Sequence, residues 1–346
     1  MNEFELIARM RERLASRSDR VVIWSGDDAA AVRPGGAISV TSTDSFVEGV
    51  HFRLVTTSLG DLGHKCLAAS LSDLAAMGAG PGEAYIALGL PHHLGEREVL
   101  ELADGAEALA ESCRVTICGG DVTRADELFV VVTVVGYVET EDQLARRDRA
   151  QPGDLLGVTG TLGGSGAGLL LLERKHHGGD VGLDLEAGQR LLERHLRPRP
   201  LLEAGRALGA AGVNAMIDVT DGIASDVTRI CERSGVAAEV RLTDLPVEEG
   251  VAEVARDHGL DPLELAAAAG EDYELLFTAP AGARDDIERA AETANVAVSW
   301  IGRILPAAGD AGEAVRLLDA EGRPRRLTGW DHFARADAAP ESPRRA

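Results

Sequence analysis

The stretch from Leu59 to Leu90, LGDLGHKCLAASLSDLAAMGAGPGEAYIALGL, carries the signature of the fold. Leu62, Cys66, Leu67, Leu71, Leu74 and Met77 share a helical face, and Gly78 and Pro81 end the pattern, which predicts a helix between Leu59 and Met77. Tyr85–Leu90 is short, apolar and bounded by glycine and proline, the pattern of a strand. Helix followed directly by strand is the unit of an α/β chain, and the alternation extends both ways. Upstream, Phe4, Ile7, Met10 and Leu14 predict an amphipathic helix over 3–16, then strands at Val21–Trp24 and Ala37–Thr43. Downstream come a helix over 96–112 and a β-branched strand at Leu128–Val138. The charged segment Ala145–Asp154, with Pro152-Gly153, is the best domain boundary. Beyond it, strands are expected at Leu155–Thr159, Asn214–Val219, Ala237–Leu242, Tyr273–Thr278 and Val296–Ile304, separated by helical patterns. The expectation is two halves, residues 1–140 and 150–333, and a disordered tail over 334–346.

Of the 346 residues 45% are hydrophobic, so the chain has ample material for cores despite a formal net charge of −22. Such acidity disfavours nucleic acid and anionic membranes as partners, and no run of the sequence forms a basic patch. The cysteines Cys66, Cys113, Cys118 and Cys231 form no CxxC pair and are too sparse for a disulfide framework. With no basic leader and no apolar run long enough to span a bilayer, a cytoplasmic location is expected.

Aspartates recur beside Gly, Ser or Thr at the ends of predicted strands: Gly26-Asp27-Asp28-Ala29-Ala30, Ser42-Thr43-Asp44, Ser72-Asp73, Gly119-Gly120-Asp121 and Asp218-Val219-Thr220-Asp221-Gly222. Each alone reads equally as a turn or cap residue. Together they point to hard cations, because gathered carboxylates repel unless neutralised. Mg²⁺ is favoured over Ca²⁺, since it combines a few carboxylates with substrate phosphates and no EF-hand spacing is present. The run Gly160–Gly168 follows a strand and opens a helix, a layout that suits phosphate, close helix packing or a flexible loop equally, and it has neither P-loop nor Rossmann spacing. No nucleophile with a partnered base emerges, zinc-ligand spacing is absent, and Ser165 falls short of a nucleophile elbow. His51, just after Asp44, reads either as a site residue or as a satisfied surface histidine.

These motifs, with Glu48-Gly49-Val50-His51-Phe52, Lys65 ahead of Leu71–Ala79, Arg197-Pro198-Arg199-Pro200, Gly270-Glu271-Asp272-Tyr273-Glu274-Leu275 and Gly329-Trp330-Asp331-His332-Phe333, resemble in order those of bacterial thiamine-monophosphate kinases, of the aminoimidazole ribonucleotide synthetase-like ATP-binding superfamily. Ser70, Ala269 and Thr220 depart from the family's usual residues without removing a carboxylate. The resemblance implies a two-domain α/β (α+β) fold of mixed sheets flanked by helices, and a homodimer joined through the N-terminal sheets. It implies transfer of the γ-phosphoryl of ATP to thiamine monophosphate with several Mg²⁺ ions. An anionic acceptor needs no general base, so the missing base ceases to be a gap. By similarity Asp28, Ser42, Thr43, Asp44, Asp73, Asp121, Asp218 and Asp221 would hold metal, Gly120, Asp121, Arg147 and Thr220 would contact ATP, and His51, Glu271 and Trp330 would line the acceptor site. Trp330 reads alternatively as a hydrophobic plug. The rival readings are an aminoimidazole ribonucleotide synthetase, a selenophosphate synthetase, disfavoured because Cys66 lies within a predicted helix, and a silent nucleotide- or metal-binding protein.

Overall fold

The computed structural model describes residues 12–15, 17–23, 31–32, 34–179, 183–307, 313–327 and 329. Strands β1 (Val21–Ile23) and β2 (Ala31–Val32) pair antiparallel. The next four strands, β3 (Ile38–Val47), β4 (Gly80–Leu90), β5 (Thr116–Arg124) and β6 (Phe129–Val138), form a sheet in the order β3-β6-β4-β5, in which only β4 and β5 run parallel. Along β6 buried residues alternate with half-buried ones, so Val130, Val132 and Val134 face a core while Val131, Thr133 and Val135 face an open side. Helices α1 (Leu59–Ala76) and α2 (Glu96–Cys113) pack against one another on the core side.

Helix α1 starts at Ser58, whose hydroxyl accepts the Asp61 amide at 3.1 Å. The sequence implies one apolar face, yet the helix is buried almost all round, its Gly, Ala and Ser positions letting neighbours approach closely. The helix expected over 3–16 lies almost wholly outside the described residues. Strand β3 runs to Val47, so Asp44 sits inside a strand and not at its end. Strand β4 begins ahead of Pro81, which is tolerated at a register shift between Pro81 and Glu83.

The second sheet has seven strands: β7 (Leu155–Thr159), β8 (Ala215–Asp218), β9 (Ala237–Arg241), β10 (Leu275–Ala279), β11 (Val298–Leu305), β12 (Val315–Leu318) and β13 (Pro324–Arg325). Their order is β13-β12-β9-β11-β7-β10-β8, parallel only between β9 and β12. Between them lie α3 (Gly164–His176), α4 (Leu185–Leu196), α5 (Leu202–Ala210), α6 (Ile223–Ser234), α7 (Val251–Asp257), α8 (Pro262–Ala268) and α9 (Arg284–Thr293). Strand β10 is buried throughout, Thr278 being its one polar residue, because both its faces are covered. Leu276 joins Ile217, Val227 and Ile304 on one side, whereas Leu275 and Phe277 join a core that continues through α5 and α9 to Leu71 and Leu74 of α1. The two sheets therefore share one apolar core.

Candidate active site

Where β3, α1 and β8 meet, three carboxylates converge. Ser42 and Asp44 are two residues apart on β3 and so share its core-facing side. Asp73, in the last turn of α1, accepts a hydrogen bond from the Ser42 hydroxyl. Burial, and the charge of Asp73, push the Asp44 carboxyl above the usual range, and burial does the same to Asp73. Asp218, at the end of β8, is raised to about 8 by its burial and then by Asp73. Its Oδ2 has no hydrogen-bond partner. Buried, mutually repelling carboxylates with an orphaned oxygen are short of positive charge, and Arg147 is the cation that acts on Asp73.

Register separates two other expected ligands from this group. Thr43 points to the open side of the sheet, where its hydroxyl pairs with that of Thr133 at 2.9 Å. Asp121 lies opposite Ala87, itself opposite Val131, and so shares that open side, while Gly120 faces Ile86 on the other. Among the described residues no three His, Cys, Asp or Glu side chains form a ready-made metal cage.

Beyond β8 the chain turns through Thr220 and Asp221, whose amides donate to Oδ2 of buried Asp226 at 3.1 and 3.2 Å. Asp221 is ion-paired with Arg229, and burial followed by Asp221 lifts the Asp226 carboxyl to about 7. The segment Gly270–Glu274 lies against this turn, Glu271 donating its amide to the Thr220 carbonyl at 2.8 Å and Tyr273 to that of Val219 at 3.0 Å. Gly270, Glu271 and Tyr273 all have positive φ, and a side chain at Gly270 would strike the Thr220 carbonyl. Two non-glycine residues held in the left-handed region store strain of about 1–3 kcal/mol each.

That conformation aims Glu271 at a buried polar chain. Lys65 Nζ donates to Glu271 Oε2 at 3.0 Å and to His195 Nε2 at 3.3 Å, which leaves His195 Nδ1 to donate to Ser165 Oγ at 3.0 Å. Burial and then Lys65 lower the His195 pKa to about 3, so the ring is neutral. Burial opposes ionisation of Glu271, but the charge and hydrogen bond of Lys65 act against it and the carboxyl is held below the usual range. His51 also acts on Glu271, and its Nδ1 accepts the Val47 amide at 3.1 Å.

Family models match over two segments, "AIR synthase related protein, N-terminal domain" at residues 26–138 and "AIR synthase related protein, C-terminal domain" at 151–314. The thiamine-monophosphate kinase of Haemophilus influenzae is 38% identical over 341 residues, covering 96% of this chain and 98% of that one. The chain belongs to the thiamine-monophosphate kinase family. A crystal structure of the enzyme from Stenotrophomonas maltophilia aligns with a TM-score of 0.79 at 38% identity, covering 92% of this chain and 96% of that one. A second structure, AaThiL complexed with AMPPCP and TMP, aligns at 0.75 and 30% identity, covering 96% and 97%.

Of the residues expected from sequence, the fold brings Ser42, Asp44, Asp73 and Asp218 together, and sets Thr220, Asp221, His51 and Glu271 around them. Asp28 and Trp330 lie outside the described residues. The glycine-rich run resolves toward packing: the Gly163 and Ser165 amides at the start of α3 donate to the buried carboxylate of Asp272 at 2.7 and 3.2 Å, and Gly168 lies against the Leu191 carbonyl of α4. Sequence reading assigned no role to Asp226 or His195, and Lys65 entered only as part of a motif. A lysine amid the small and apolar residues of α1 was the one signal available for that network.

Proposed function

We propose that the chain transfers the γ-phosphoryl group of ATP directly to the phosphate of thiamine monophosphate, giving thiamine diphosphate and ADP, with Mg²⁺ held at the β3–α1–β8 junction. The observation that carries the metal reading is the crowded trio Asp44, Asp73 and Asp218 with its unpartnered buried oxygen. Asp44, Asp73, Asp218 and Ser42 would hold the ion, with Asp28 and Asp221 as further ligands. Mg²⁺ bound there would neutralise charge between two anionic substrates. Arg147 and the backbone around Gly120 and Thr220 are assigned to ATP. Glu271, kept ionised by Lys65, is assigned with His51 and Trp330 to the acceptor, where an anionic group and an aromatic face suit a cationic ring. Thr43 and Asp121, on the open side of the sheet, belong in this reading to a homodimer contact made through that side. The halves 1–140 and 150–333 then act as two units meeting at the site. Among the described residues no helix is long and apolar enough to cross a membrane, and free cysteines suit the cytoplasm.

A coupled ADP assay with and without thiamine monophosphate, repeated with EDTA, tests the reading. ADP release that depends on both acceptor and Mg²⁺ is expected. Acceptor-independent release, or none, would overturn the kinase reading, and full activity in EDTA would overturn the metal.

A further inference from the structure

A cavity of about 600 Å³ opens between the end of α2 and the start of α5, away from the carboxylate trio. Four arginines, Arg17, Arg114, Arg199 and Arg206, line it against a single carboxylate, Glu203. In a chain of net charge −22 this is an inversion of sign, and no stretch of sequence announces it, since the fold gathers the arginines from separate segments. Arg17 is ion-paired with Glu107. Arg114 meets Glu203 at 3.3 Å, but their side chains are 79% and 74% exposed, where such a pair contributes little. Arg199 and Arg206 have no carboxylate partner among the described residues.

The motif Arg197-Pro198-Arg199-Pro200, which the active site does not use, presents one of them. Pro198 and Pro200 are buried, the Pro198 carbonyl is bonded by His64 Nε2 at 3.0 Å, and Arg197 is tied to Asp61 at 2.5 Å. Proline rings fix φ, so the backbone that carries Arg199 is ordered before any ligand arrives. The remaining walls are mixed, Ser18 and Ser112 standing beside an apolar part made by Pro81 and Leu109 from the first half of the chain and Leu202 and Val296 from the second.

We infer that this cavity is a second binding site, selective for a small phosphorylated molecule with an apolar or ring-shaped body. Unpaired guanidinium groups match phosphate oxygens in bidentate geometry, and the apolar walls would cover the rest of the ligand. An occupant would touch both halves of the chain. It would also touch α5, which packs through Gly205 on Ala75, two residues from Asp73.

Titration calorimetry of the full chain, without nucleotide or Mg²⁺, tests this with phenyl phosphate as probe. The proteins compared are wild type, Arg199→Ala/Arg206→Ala, Arg199→Lys/Arg206→Lys and Asp73→Asn. Expected are measurable binding to wild type and to Asp73→Asn, affinity weaker by about tenfold or more in the alanine pair, and an intermediate value for the lysine pair. Basal turnover of both arginine variants should stay within about twofold of wild type, since neither side chain is in the active site. Binding lost in Asp73→Asn and kept in the alanine pair would place the ligand in the active site and overturn the inference. So would the absence of binding to wild type at millimolar probe.

Discussion

Asp218 has one carboxylate oxygen buried without a partner and a second carboxylate, Asp73, beside it. Its carboxyl is held at about 8, so above that pH removing its charge relieves repulsion in the metal-free protein, and Asp218→Asn should raise the melting temperature in EDTA at about pH 9 while lowering Mg²⁺-dependent turnover by about a hundredfold or more. Calorimetry and steady-state rates on one preparation check both, and near-normal turnover would return the residue to a structural role. His195 supplies a pH signature. Its ring, ordinarily near 6.5, is held neutral with a pKa of about 3, so its stabilising contribution is full above about 6.5 and is lost as pH falls toward 3. The stability gap between wild type and His195→Gln should therefore shrink from pH 7 to pH 5 in urea titrations, whereas a constant gap would show that the ring is not buried neutral. Asp44, Asp73 and Asp218 stood out in the sequence because so many carboxylates in similar motifs have few purely structural uses, although Asp44 lies inside a strand and Asp73 in a helix. Glu271 was named for the acceptor site, but its link to Lys65, His195 and Ser165 was not legible, because what makes them a unit is a tertiary contact across as many as 206 residues. The side of the sheet that Thr43 and Asp121 face was not legible either, because it is set by pairing with β6 and β4.

Helices α1 and α2 cross at backbone distance. A side chain on Gly105 would fall on the Gly60 carbonyl, and one on Gly63 on the Leu102 carbonyl. Alanine gains about 1 kcal/mol of helix propensity over glycine, but here that is outweighed by overpacking against rigid backbone, so Gly105→Ala should destabilise by a net ~1–3 kcal/mol in urea unfolding. A stabilised variant would mean the helices can slide apart. Long periodic elements such as α1, α2 and β6 were legible within a few residues, since one period persists across each. Strand β5, whose centre is Cys118-Gly119-Gly120-Asp121, was not, because glycines and a carboxylate mimic a turn, and only pairing with β4 makes the segment extended. Short β12 and β13 carry too few residues to show any period.

The open side of the four-stranded sheet, with Val131 and Val135 half-buried and Thr43 exposed, is the surface expected to join two copies. Light scattering at micromolar concentration should give twice the chain mass of 36.3 kDa, and a monomer would end that expectation. At this scale the alternation of helix and strand was legible, whereas the gathering of four arginines in an acidic chain was not, because charge patterning along the sequence says nothing about which loops meet. Nor was the shared core, in which Leu71 and Leu74 are continuous with Phe277, Ile287 and Ala291. That continuity matters most while the protein is being made. The first half leaves the ribosome with apolar surface whose covering residues are still untranslated, so it cannot finish folding until α9 has emerged. Vectorial synthesis thus holds a long nascent intermediate exposed to chaperones and to aggregation, and slowing translation before Arg284 should lower the soluble yield more than slowing it after Thr293.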